Sequence, residues 1–309
     1  MNKIIELALS ALRRNENDVV NLYNTFSNLM HILTEGYMLN FGFWDKSIRD
    51  PLQAQYALSS RMGEFASLNK ADKIVDVGSG YSAPAMHWLS LYNDLEVYCI
   101  NINFHQLKIA CNFSNFQTND EKQIKYNGGS ESNTLKGSQK IKIIHLNATS
   151  TTLPIKNGII DRVIAFESAQ HFKPLIQFIK ESSRILKQSG LLVIAMPVII
   201  NSKSKFSVPM AFKLGILSIT WASEHYSLDY IKSLINASGF ILVEIRYIGS
   251  NVYKPLADYY IDNRFKLKDR VIKEYSNLFE IVFYRSLLKM KNVSENGMID
   301  YIMLKAQKQ

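Results

Sequence analysis

The 309-residue sequence predicts an α/β protein with a doubly wound, mostly parallel sheet and helices on both faces. Three observations predict it. Short apolar windows alternate with longer windows of helical period from residue 73 to residue 307. The first apolar window runs into a glycine loop, Gly78-Ser79-Gly80, and the loop leads directly into a helical window. No run reaches the ~18 apolar residues that a membrane-spanning helix needs.

The elements follow in order. Residues 1–35 read as helices, with Ile4, Leu7, Ala8, Ala11 and Leu12 at helical spacing. The opening stretch reads as an amphipathic helix rather than a signal peptide, because no small-residue cleavage site follows an apolar core. GYMLNFGFWD (36–45) is aromatic and broken by glycine, which predicts a structured loop, and 50–68 reads as a helix entering the first strand. Strands are expected at 73–77, 95–102, 141–146, 161–166, 190–196, 241–248 and 299–307. Helices are expected at 81–91, 104–115, 171–187, 227–238 and 266–291. The helix at 171–187 has an apolar face of Phe172, Leu175, Ile176, Ile179 and Leu186, and Gln188-Ser189-Gly190 reads as its stop. Residues 117–140 are polar and rich in Gly, Ser and Asn, as expected of a surface insertion.

Composition narrows the class. With 47% hydrophobic and 20% charged residues the chain is ordinary for a globular protein. The net charge of +9 is dispersed, without Lys/Arg clusters interleaved with aromatics, so it predicts a basic surface and no nucleic-acid partner. Two cysteines, Cys99 and Cys111, make neither a disulfide framework nor a metal-ligand pattern, which suits a reduced cytoplasm and a site without metal. A monomer or homodimer is expected.

In a doubly wound sheet the ligand sits beyond the carboxyl ends of the strands. Glycines there let the backbone approach it closely. Gly78 and Gly80 therefore predict a nucleotide-like cofactor, with a plain tight turn as the alternative. Asp76, an acid at a buried strand end, needs a partner. It would repel a pyrophosphate and suits a cationic or hydrogen-bond-donating ligand. Asn101 and Asn103 stand where a dinucleotide site carries its acid, and Ala83 leaves the G-x-G-x-x-G pattern incomplete. A nicotinamide-dependent oxidoreductase is therefore disfavoured.

Asp76-Val77-Gly78-Ser79-Gly80 resembles the D-x-G-x-G motif of class I methyltransferases that use S-adenosylmethionine, with Ser82 in place of a third glycine. "NINFHQ" (101–106) resembles the second-strand stretch of a subgroup that lacks the acidic ribose ligand and carries a glutamine, here Gln106. "HLNATSTTLP" (145–154) resembles the adenine-binding stretch, with Asn147 and Ala148 at its centre. "LNFGFWD" (39–45), "FESAQHFKPLIQFIKESSRILKQSGLLVIA" (166–195) and "HYSLDYIKSLINASGF" (225–240) resemble segments of the small-molecule enzymes that act on sterols, tocopherols and natural-product sugars.

The resemblance implies a Rossmann-like, seven-stranded, mostly parallel sheet with helices on both faces and a helical cap. It implies an N-terminal cap or lid segment at 1–68 and a methyltransferase domain at 69–309, with the polar insertion at 117–140 and a helical lid insertion at 251–291. The implied cofactor is S-adenosylmethionine, held by Asp76, Gly78, Ser79, Gly80, Asn101, Gln106, Asn147, Ala148, Phe166 and Trp44. The implied acceptor is a small, largely apolar metabolite, contacted by Tyr37, Phe43, Trp221 and Tyr226 and drawn from secondary metabolism.

Methyl transfer needs donor and acceptor held together, and sometimes a base for the acceptor's proton. His171 and Glu167, in FESAQHF, are the candidate catalytic residues. His171 matches only the second histidine of the pair found in some O-methyltransferases, and Gln170 takes the first place. The E-x-x-x-H spacing also resembles sterol-type C-methyltransferases, in which aromatic faces and a carboxylate stabilise a carbocation. O- and C-methylation, including that of an isoprenoid alkene, both stay open, as does a non-catalytic cofactor-binding protein.

Overall fold

The computed structural model describes residues 15–119, 142–200 and 226–309. Helix α1 (Glu16–Thr34) opens on a reciprocal cap: the Asn15 side chain accepts from the Asp18 N–H and the Asp18 carboxylate from the Asn15 N–H, each at 3.2 Å. A loop then leads to α2 (Pro51–Phe65), which has Asp50 as its cap and Pro51 in its first turn. The alternating part follows: β1 (Lys73–Val77), α3 (Ala83–Leu91), β2 (Glu96–Asn101), α4 (Phe104–Asn119), β3 (Lys142–Asn147), β4 (Ile160–Phe166), α5 (Leu175–Ile185) and β5 (Leu186–Ile199). It closes with α6 (Leu228–Ala237), β6 (Phe240–Tyr247), α7 (Tyr253–Glu274), α8 (Asn277–Glu295) and β7 (Ile299–Lys308).

The seven strands lie in the order β3-β2-β1-β4-β5-β7-β6. Pairings among β1 to β5 are parallel, and β7 runs antiparallel between β5 and β6. The predicted Rossmann-like sheet is thus found, with its seven strands where the apolar windows put them. Strand order reverses between β1 and β4, so their carboxyl ends open a crevice at the switch point. Alternation along β1 sends Ile74 to one face, against α1, α2, α3, α7 and α8, and Val75 and Val77 to the other, against α5 and α6.

Three expectations change. The helix expected at 171–187 begins only at Leu175, after a single 3₁₀ turn at Ala169–His171. Gly190 does not end it: the chain is already extended at Leu186, and Ser189 (φ 61°) and Gly190 lie in an irregular stretch where the register against β4 jumps from Leu186 to Leu191. The helix expected at 266–291 is two helices, because the Ser276 side chain accepts from the Phe279 N–H and starts a new one. The insertion at 117–140 falls almost wholly outside the described residues.

Candidate active site

β1 delivers Asp76 and the 78–80 loop to the crevice. Gly78 and Ser79 both donate to the Ile100 carbonyl, at 2.7 and 3.1 Å, which curls the loop over the end of β2. Gly78 has φ 81°, and a Cβ there would stand 2.3 Å from the Ser168 Cβ. Its missing side chain thus makes room for Ser168, whose hydroxyl donates to the Val77 carbonyl at 2.5 Å. The glycine requirement at this position comes from the protein's own packing, where the sequence argument gave it to the ligand. Ser82 holds φ 57° at the head of α3, a left-handed conformation that suits glycine better.

The loop borders an open cavity. Of the expected cofactor and catalytic residues, Asp76, Gly78, Ser79, Gly80, Asn101, Gln106, Ala148, Phe166, Glu167 and His171 line it, and so does Tyr37 of the expected acceptor set. Asp76 is 1% exposed, and its Oδ1 has no hydrogen-bond partner. Burial alone pushes its carboxyl up to about 7. A buried acid with an empty coordination sphere beside a cavity is a place for a cation or a strong donor.

The second-strand amides are tied to the protein. Asn101 donates to the Gly80 carbonyl at 3.1 Å and to Gln106 Oε1 at 2.9 Å. Gln106 donates on to Ser27 at 3.0 Å, and Asn103 donates to Asn24 at 2.9 Å. Together they lash α1 to the cavity rim. Asn147 lies beside the lining: its amide donates to the Asn101 and Ile102 carbonyls, at 2.9 and 3.0 Å.

Glu167 follows β4 with φ 52°, a strained conformation for a side-chain-bearing residue. Its Oε1 accepts from the Phe41 N–H at 2.9 Å and from the Tyr301 hydroxyl at 3.0 Å. Burial pushes the carboxyl up to about 8 despite those two hydrogen bonds. It therefore pins the 39–45 loop to β7 as well as facing the cavity. His171 Nε2 lies 2.8 Å from the Tyr23 hydroxyl of α1, with the two rings edge to face.

The other expected acceptor and cofactor residues fall elsewhere. The Trp44 ring packs on Tyr259, and its backbone exchanges hydrogen bonds with Asn251, at 2.7 and 2.9 Å. Phe43 is buried beneath the Arg61 guanidinium, 3.8 Å from its ring centre. Tyr226 stands behind the wall, where its hydroxyl donates to the Phe172 carbonyl at 2.6 Å. Trp221 lies outside the described residues. Sequence reasoning missed Tyr23, Asn24, Ser27 and Tyr301. The first three share one flank of α1, and a polar stripe beside the apolar Leu22, Phe26 and Leu29 was the available signal. Tyr301, inside an apolar strand, gave none.

Residues 75–194 match the family model described as "Methyltransferase domain". The erythromycin 3''-O-methyltransferase of Saccharopolyspora erythraea is 26% identical over 302 residues, covering 93% of this chain and 88% of the relative. The 27-O-demethylrifamycin SV methyltransferase of Amycolatopsis mediterranei is 25% identical over 178 residues, covering 58% of this chain and 57% of the relative. Among solved structures, a cyclopropane synthase of Mycobacterium tuberculosis superposes with a TM-score of 0.73 at 15% identity, over 93% of this chain and 95% of that one.

Proposed function

We propose that this chain, a class I S-adenosylmethionine-dependent methyltransferase, methylates a hydroxyl oxygen of a small, largely apolar secondary metabolite. The observation that carries the site assignment is the unpartnered carboxylate of Asp76, buried under the Gly78–Gly80 loop. The cofactor's amino-acid end carries an ammonium group, the partner that Asp76 lacks, and a charge-assisted hydrogen bond there offsets the cost of burying the acid. When bound, S-adenosylmethionine supplies a methyl group on a sulfonium centre.

The chain's own residues do the rest. Asn101 and Gln106 shape the rim for the ribose, and Ala148 and Ser150 offer a small-residue wall for the adenine. Tyr37, stacked on His31 and packed edge to face on Tyr81, flanks the mouth. The acceptor's hydroxyl donates to the Tyr23 oxygen while the Tyr23 hydroxyl donates to His171 Nε2, which takes the neutral imidazole as the Nδ1–H tautomer. As the acceptor loses its proton, the Tyr23 proton passes to Nε2 and the charge ends on the imidazolium. Glu167, protonated at neutral pH, adds no charge to the wall. Helices α1, α7 and α8, with the 39–45 loop, form the cap under which the acceptor sits.

O-methylation is preferred over C-methylation because the relative that spans 93% of this chain is an O-methyltransferase. The test is turnover with S-adenosylmethionine across a panel of hydroxylated apolar natural products, read by mass spectrometry. A product heavier by one methylene whose new methyl group is shown by NMR to sit on oxygen supports the proposal. Methylation only at carbon would replace it, and no S-adenosylhomocysteine binding by calorimetry would remove the site assignment.

A further inference from the structure

Behind the wall formed by Tyr23, Leu39 and Glu167 lies a second cavity, which shares those three residues with the first. Its described walls are mostly apolar: Leu22, Phe26 and Leu29 of α1, Phe41, Pro197 at the end of β5, and Phe283 of α8. Mostly apolar walls suit an apolar ligand better than a cluster of waters, which needs polar partners on several sides.

One polar group in it is unfinished. Gln170 is 4% exposed and its Oε1 has no hydrogen-bond partner. The amide cannot turn over to hide this atom, because its Nε2 donates to the Glu167 carbonyl at 2.7 Å and a flip would set two oxygens against each other. A buried amide oxygen held in place without a donor costs free energy that a ligand's O–H or N–H recovers.

Resting on the methyltransferase reading of the adjoining site, we infer that this chamber receives the apolar arm of the methyl acceptor, and that Gln170 selects an arm bearing a hydrogen-bond donor, a hydroxyl or amide N–H distinct from the methylated group. Through the shared wall of Tyr23 and Glu167, an arm seated here holds the rest of the acceptor beside His171. Gln170 is then a specificity-determining residue at the position where the sequence lacks the first histidine of the family's pair.

The test uses two probes of equal heavy-atom count, 1-octanol and 1-methoxyheptane, titrated into the full-length protein saturated with S-adenosylhomocysteine. Binding is followed by the ¹³C-methyl resonances of Leu29 and Met30, both in the chamber wall. The wild-type protein is expected to bind the alcohol roughly 10-fold more tightly than the ether, the ratio that one recovered hydrogen bond gives. Gln170→Met, similar in shape but without the acceptor, is expected to bring the two affinities together and leave S-adenosylhomocysteine affinity unchanged. Equal affinities in the wild-type protein, or shifts that bypass Leu29 and Met30, would overturn the proposal without needing the variant. Discrimination between the probes in a protein that does not bind S-adenosylhomocysteine would uphold the chamber and overturn the reading of its neighbour.

Discussion

Replacing Asp76 by asparagine should strengthen the cofactor-free protein at alkaline pH and weaken its grip on the cofactor. The carboxyl is raised from 3.8 to about 7, and burial is the cause. Unfolded, the acid ionises above its ordinary value; folded, it keeps its proton until about 7. Between those limits the folded state holds one more proton, so stability falls as pH rises, and it is flat above. A shift of ~3 units at ~1.36 kcal/mol each amounts to ~4 kcal/mol. The Asp76→Asn side chain is neutral in both states and escapes that loss. Glu167 gives a parallel slope in both proteins, so the difference between them isolates Asp76. The assay is urea unfolding by tryptophan fluorescence at pH 5, 6, 7 and 8 without cofactor. The variant should lead by only ~1.6 kcal/mol at pH 5, about 1.2 units above the unfolded value, and by ~4 kcal/mol at pH 8. In calorimetry, wild-type affinity for S-adenosylhomocysteine should rise ~10-fold per pH unit up to about 7, since the ionised acid is the form that binds. The variant should lose ~30-fold to 100-fold at pH 8 and show no such slope, as expected for a lost charged hydrogen bond. A variant weaker than wild type by more than ~1 kcal/mol at pH 8, or one with unchanged affinity, would refute the reasoning.

The other predictions concern the far wall and the loop. His171→Ala should lower turnover ~10²-fold to 10³-fold and leave S-adenosylhomocysteine affinity within ~2-fold; loss of both together would make the residue structural. Glu167→Ala strands the Phe41 N–H and the Tyr301 hydroxyl and should cost ~2–4 kcal/mol in urea unfolding. Glu167→Gln keeps an acceptor oxygen, so it should cost under ~1 kcal/mol and remove the pH slope that this acid contributes; equal losses in the two variants would count against the loop-pinning role. Ser82→Gly relieves a left-handed serine worth ~1–2 kcal/mol and adds ~0.5–1 kcal/mol of unfolded-state entropy. A net gain of ~0.5–1 kcal/mol should show as a higher melting temperature, and a fall would mean that the Ser82 hydroxyl, 3.4 Å from that of Ser79, matters more than the backbone does.

Strands and site separate clearly in how legible they were. β1, β2, β4, β5 and β7 are largely buried windows, and the edge strands β3 and β6, though mostly half-buried or exposed, keep an apolar composition, so composition and turn residues were enough to find all seven. Asp76 was legible for the same reason, since one charge in a buried window is a chemical anomaly. The helix break at Ser276 was written in the sequence as a cap, but apolar period running through it on both sides hid it. The 39–45 loop was illegible beyond its existence. Side-chain direction in a loop follows no period, so its three aromatics went three ways: Phe41 into the second cavity, Phe43 under Arg61, and Trp44 onto Tyr259.

That divergence explains why the proposed acceptor half of the site resists reading from sequence while the proposed cofactor half does not. The proposed cofactor half is built by consecutive residues at strand ends, where they line the cavity. The acceptor half is built across long separations: Tyr23 meets His171, Phe41 meets Glu167, and Glu167 meets Tyr301. The first two of these pairs tie α1 and the 39–45 loop to the edge of the sheet, the third joins the end of β4 to β7, and none leaves a local pattern. A cap assembled this way can exchange aromatic residues without disturbing β1 or its loop, so acceptor choice can change while the sheet beneath stays the same. Glu167 is where the two halves meet, and a buried acid held in a left-handed conformation by one loop and one strand is a costly way only to fasten a loop. Its position between the two cavities gives that strain a use: the residue that fixes the 39–45 loop also forms part of the wall that the two cavities share.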